Sequence, residues 1–85
     1  MAADLRYLTA PDCHLCARGR SVVDALARDL GLSVEEIPWA DDRAATLVAH
    51  DGVPFPPALY HGDRLLGFGR LSERRLHRLL DQVRA

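Results

Sequence analysis

The sequence predicts an α/β domain: one mixed four-stranded sheet flanked by helices, in the order β-α-β-α-β-β-α. Three observations carry that expectation. Short apolar runs alternate with longer stretches in which apolar residues recur every three, four or seven positions. Glycine or proline stands at most of the joins between them. Two apolar runs late in the chain are separated by His61-Gly62-Asp63, the composition of a hairpin turn.

Each element has its own justification. Leu5 to Ala10 is a short apolar stretch that reads as a buried strand ending at Pro11. From about Cys13, Leu15, Val22, Val23, Leu26 and Leu30 fall on one face of a helix, and Gly31 supplies its left-handed stop. Gly19 inside this helix costs about 1 kcal/mol of propensity. In Leu32 to Trp39, Leu32 and Val34 alternate, Ile37 closes the run and Pro38 ends a second strand. Asp41 or Asp42 can N-cap a short helix that stops at Gly52. Ala58 to Tyr60 and Arg64 to Phe68 are the hairpin strands. Ser72 can cap a last helix whose Leu76, Leu79, Leu80 and Val83 form an apolar stripe, with Leu71 placed to staple onto Leu76. The first βαβ unit should be parallel and right-handed, with the hairpin extending the sheet antiparallel.

Eighty-five residues make one small domain with a thin core. The formal net charge is -1, so no global field draws it to nucleic acid or to an anionic membrane. The basic residues are all arginine, so cationic help near the cysteines must come from Arg or His. No apolar run is long enough to span a bilayer, and the start lacks a signal-peptide pattern; a cytoplasmic protein is expected, where a permanent structural disulfide is rare. A monomer is expected.

Both cysteines lie in "TAPDCHLCARGR", Thr9 to Arg20. Cys13 falls where a strand passes into a helix N-terminus, the edge at which open α/β sheets place ligands. Unpaired amide N–H groups and the macrodipole stabilise a thiolate there. Cys16 is one turn further in and less exposed. The spacing suits an attacking thiol, Cys13, and a resolving thiol, Cys16. Zinc would need four ligands, whereas His14, His50, His61 and His77 are scattered and no metal site is expected. Inert cysteines are the third reading.

Those residues resemble the small glutaredoxin-like proteins of the thioredoxin superfamily over nearly the whole chain. "YLTAPDCHLC" is similar to the strand, Pro and Cys-x-x-Cys segment; "FPPALYHGDRLLGFG" to the segment with the family's cis-proline and hairpin; "GRLSERRLHRLL" to the start of the last helix. The resemblance implies a thioredoxin-like fold with a glutaredoxin core, redox exchange at Cys13 and Cys16, and no metal or organic cofactor. Aligning the turn on Gly62 puts the cis-proline at Pro56, with Pro54 as runner-up and three trans prolines in a loop as the plain alternative. The Phe55 backbone would then pair with the substrate chain like an added strand.

The chain also departs from the family. Ala10 stands where glutathione-using members usually carry Lys, Leu15 where they commonly have Tyr, and Gly69-Arg70-Leu71-Ser72 lacks their small-residue-Asp pair. Asp12 stands where thioredoxins have Trp. These departures argue against glutathione as co-substrate and put a donor of the thioredoxin reductase type on an equal footing. His14, between the cysteines, would as imidazolium favour the Cys13 thiolate; Asp12 would oppose it, or serve as a loop or capping residue. Arg18 and Arg20 are candidates for contact with an acidic substrate, against the plainer reading of a solvated helix face. Arg74, Arg75 and Arg78 read as solvated surface, and Trp39 as core or cover. The function expected is thiol–disulfide oxidoreductase, with His14, Phe55 and Pro56 binding a disulfide-containing protein substrate. The rival is a non-catalytic thioredoxin-like binding module.

Overall fold

A computed structural model describes residues 3–84 and has the expected element order: β1 (Leu5–Thr9), α1 (His14–Leu30), β2 (Val34–Pro38), α2 (Asp42–Asp51), β3 (Ala58–His61), β4 (Arg64–Phe68) and α3 (Glu73–Arg84). The strands form one sheet in the order β2-β1-β3-β4. β1 and β2 are parallel, from Leu5 opposite Val34 to Thr9 opposite Pro38. β3 lies antiparallel to β1, with Leu8 opposite Ala58, and β4 antiparallel to β3, with Ala58 opposite Phe68. Pro38 is tolerated because β2 is an edge strand.

Alternation along the strands divides the core into two layers. Leu5, Tyr7, Leu59 and Leu66 pack with Val23, Leu26, Leu76 and Leu80, so α1 and α3 share one face of the sheet. Leu8, Ile37, Ala58 and Tyr60 pack with Ala44 and Val53 beneath α2 on the other. The Tyr60 hydroxyl, buried at the α2 side, donates to Asp51 at 2.9 Å.

The caps show why the elements stop where they do. Gly31 and Gly52 both adopt left-handed backbone, with φ of 66° and 67°. The following amides close each helix, Leu32 N–H onto the Ala27 carbonyl at 2.8 Å and Val53 N–H onto Val48 at 3.0 Å. This turn consumes Leu32, which is why β2 begins at Val34 and not at Leu32. Asp41, not Asp42, caps α2, its carboxylate accepting the Arg43 N–H at 2.8 Å. Hydrogen bonds from Arg43 hold the Asp41 carboxyl below its usual pKa. Ser72 accepts the Arg75 N–H at 3.3 Å, and Leu71 packs against the cluster that contains Leu76.

Gly19 is more than a propensity cost. It is buried where α1 crosses β1, and a Cβ there would run into the Tyr7 hydroxyl and lie 3.2 Å from Leu71 Cδ1. The close approach of helix to strand requires the missing side chain.

Candidate functional site

Thr9 ends β1, residues 10–12 turn, and Cys13 becomes the N-cap of α1. Its backbone is extended (φ -110°, ψ 109°), and its carbonyl accepts the first α1 bond, from Ala17 N–H at 3.1 Å. Its Sγ accepts the Cys16 N–H at 3.1 Å, the role an Asp or Ser oxygen plays in other caps. Cys13 and Cys16 are joined as a disulfide, their Cα atoms 5.1 Å apart. Cys13 is partly exposed, whereas Cys16 is only 6% exposed. The asymmetry expected from the spacing is therefore present, together with the amide and dipole that favour a thiolate on Cys13 once the bond is reduced.

Asp12, just before the cap, has φ of +56°, an uncommon conformation for a residue with a side chain. Its carboxylate is exposed and does not cap the helix, because the Cys13 sulfur holds that position. This left-handed turn stands directly before the disulfide.

Behind the pair stands Tyr7, fully buried, whose hydroxyl donates to the Cys16 carbonyl at 2.7 Å. Burial pushes this phenol up to about 12; Arg20 draws it down and Asp24 raises it, both by smaller amounts. A cleft of about 500 Å³ opens beside the disulfide, bounded by Thr9, Asp12, Cys13, His14, Arg20 and Glu36. Arg20 pairs with Glu36 and, at 3.3 Å, with Asp24, while Thr9 Oγ1 donates to Glu36 at 2.9 Å. Arg20 thus shares its exposed guanidinium with two carboxylates on this side of the disulfide. Sequence reasoning missed Tyr7 and Glu36; their only signal was a tyrosine and a glutamate in strands that flank the motif.

The proline loop needs a correction. The cis bond is Pro56–Pro57, so the cis-proline is Pro57, neither Pro56 nor Pro54. The alignment on Gly62 leaves one residue between the cis-proline and the strand, whereas β3 begins directly after it, at Ala58, and the Pro57 carbonyl already accepts the Gly69 N–H at 2.8 Å. The residue preceding the cis-proline is consequently Pro56, which has a carbonyl but no N–H to offer. The Leu8–Ala58 register brings this loop to the same end of the sheet as the cysteines. Phe55 is 47% exposed and packs edge-on against Phe68, itself 42% exposed, with ring centroids 5.7 Å apart. His14 and Asp12 thus share the cleft with the disulfide, whereas Phe55 and Pro56 lie outside it, toward β4.

Among the described residues, one set of three metal-capable side chains converges: Asp29, Glu73 and His77, linking the end of α1 to the start of α3. It includes neither cysteine. Among the described residues no helix is long and apolar enough to cross a membrane.

No protein-family model matches the sequence, and a search of curated proteins finds no match. Solved structures do match over nearly the full length. Thioredoxin 1 of Thermosipho africanus is 15% identical with a TM-score of 0.62, covering 95% of this chain and 98% of that one. Thioredoxin-2 of the malaria parasite, described as a component of its protein secretion machinery, is 19% identical with a TM-score of 0.63, covering 96% and 85%. Glutaredoxin 1 of Francisella tularensis, complexed with cacodylate, is 12% identical with a TM-score of 0.54, covering 96% of each. At these identities the likeness is one of fold.

Proposed function

We propose, from the premise that the chain has the thioredoxin fold, that it is a thiol–disulfide oxidoreductase acting on protein or small-molecule disulfides. The observation that carries this is the cap: Cys13 Sγ sits at the N-terminus of α1, accepting the Cys16 amide, with Cys16 buried one turn behind. In the reduced state the Cys13 thiolate attacks one sulfur of a substrate R–S–S–R′. A Cys13–S–S–R mixed disulfide forms, and R′–S⁻ departs and takes a proton. Cys16 then gives up its proton and attacks Cys13 Sγ, expelling R–S⁻, which is protonated in turn. Two electrons pass from the dithiol to the substrate, and the protein is left as the Cys13–Cys16 disulfide. An external thiol donor, a reductase of the thioredoxin type or glutathione, resets it by the same exchange in reverse. Ala10, Leu15 and the residues before α3 leave the two donors on an equal footing.

In this reading His14 meets the substrate from the cleft side and the Phe55–Pro56 segment from the other, with the exposed Phe55–Phe68 pair offering apolar contact. The domain works as a cytoplasmic monomer without a bound cofactor.

The test is reduction of insulin and of the neutral 2-hydroxyethyl disulfide, with several donors, by wild type and Cys13→Ser. Wild type should be faster than the variant by orders of magnitude, and Cys16→Ser should accumulate a mixed disulfide on Cys13. Equal rates with every donor would leave a non-catalytic binding module as the better account.

A further inference from the structure

The net charge of -1 hides a strong segregation. Residues 64–80 hold five arginines, Arg64, Arg70, Arg74, Arg75 and Arg78, against one carboxylate, Glu73. Elsewhere Arg6, Arg20 and Arg43 are ion-paired. Arg18, Arg70 and Arg75 are exposed and make no ion pair among the described residues, and Glu73 lies toward His77, 3.9 Å away.

Arg18 and Arg70 line one groove, and Arg75 lines a hollow that shares Arg70 with it. A groove of about 220 Å³ runs between α1 and the start of α3, lined by Leu15, Arg18, Val22, Arg70 and Leu71. A second hollow of about 310 Å³ continues past Arg70 and Leu71 to Arg75 and Phe68. The groove begins at Leu15, between the two cysteines, so a chain presenting a disulfide to Cys13 can follow it away from the reacting sulfurs. Its floor is apolar and its rim cationic. The cleft on the opposite side of the disulfide has its Arg20 charge cancelled by Glu36 and Asp24. Of the two sides of the disulfide, the α3 side is thus the one whose arginines make no ion pair among the described residues.

We propose that this groove docks an acidic polypeptide segment flanking the disulfide of the partner protein. The proposal rests on the oxidoreductase reading and names the substrate class for that site. Arginine forks pair with carboxylates bidentately, and exposed unpaired charge of one sign steers an oppositely charged partner.

The experiment uses two disulfide-cyclised peptides of equal length and apolar content, one flanked by aspartates and one by arginines. The full-length protein should reduce the acidic peptide with a kcat/KM about tenfold higher at low ionic strength, and the preference should shrink as salt screens it. R18E/R70E should abolish or invert the ratio, and R18K/R70K should retain it. Equal rates for the two peptides in wild type, or a preference that survives R18E/R70E, overturn the proposal. Self-association that R18E/R70E abolishes would assign the groove to a second copy of the chain and overturn it as well. Reduction of 2-hydroxyethyl disulfide by wild type separates the two failures: if it is absent, the redox reading itself falls, whereas if it is present without peptide preference, only the docking assignment falls.

Discussion

At the scale of single residues, the site turns on a sulfur used as a helix cap and on a phenol beneath it. Cys13 is reachable and held by an amide donor, while Cys16 is buried under the first turn. In the reduced protein Cys13 should alkylate with iodoacetamide much faster than Cys16 near neutral pH; comparable rates, measured by mass spectrometry, would contradict the assignment of roles. Tyr7→Phe removes the 2.7 Å bond to the Cys16 carbonyl and should cost about 1 kcal/mol in urea denaturation. The same hydroxyl gives the fold an alkaline weakness. The Tyr7 phenol is raised to about 12 in the native state from its ordinary value of 10.0, chiefly by burial. Tyr60 is raised too, by burial first and then by its bond to Asp51. Between those values the unfolded chain loses a proton that the native state keeps, so stability is whole below pH 10 and falls as pH climbs toward 12. Denaturation midpoints should drop across that window, and drop less in Tyr7→Phe. The cysteine asymmetry was legible in the spacing, but the part of Tyr7 was not: in the sequence it is one apolar residue of a strand, and its partner is a backbone carbonyl, which no side-chain pattern reveals.

At the scale of elements, the crossing of α1 over β1 is the contact that fixes the site. Gly19→Ala would gain about 1 kcal/mol of helix propensity on an isolated helix. Here the new methyl meets the Tyr7 hydroxyl, which is buried and cannot swing away, so the variant should be less stable than wild type by about 1–3 kcal/mol. The penalty should fall in a Tyr7→Phe background, where the colliding oxygen is gone; a double-mutant cycle that shows strict additivity would refute this account. Element type and order were readable from periodicity and from Gly31, Gly52 and Ser72, because capping chemistry is local. The boundaries shifted by one or two residues at Leu32 and Ala10, where a helix-ending turn or a loop takes residues whose apolarity alone suits a strand. The cis-proline was misplaced by one position, since three prolines within four residues look alike until the register of β3 against β1 decides between them.

At the scale of the whole molecule, two apolar layers clamp one sheet, and the disulfide and the proline loop collect at a single end of it. The end of β1, the start of β3 and the end of β4 lie level there, through the row Leu8, Ala58 and Phe68. That row explains how Cys13, the Pro56–Pro57 loop and the Phe55–Phe68 pair, far apart in sequence, share one rim. Composition could not show the charge polarity of the molecule, because a net value averages the paired arginines of the β2 side with the unpaired ones of α3. The peptide-preference experiment belongs to this scale, since it reads the field of an entire face and not a single contact.

The Cys13 cap has one more consequence, and it is reciprocal. Whatever free energy α1 lends to the Cys13 thiolate, the thiolate must return to α1, since both are one linkage between ionisation and helix formation. Once the pair is reduced, deprotonation of Cys13 therefore fastens the first turn of the helix, and protonation of the thiol loosens it. In the reduced protein the backbone at Cys16 and Ala17 becomes a readout of the charge on Cys13, visible as a pH-dependent change in how fast those two amides exchange their hydrogens with water.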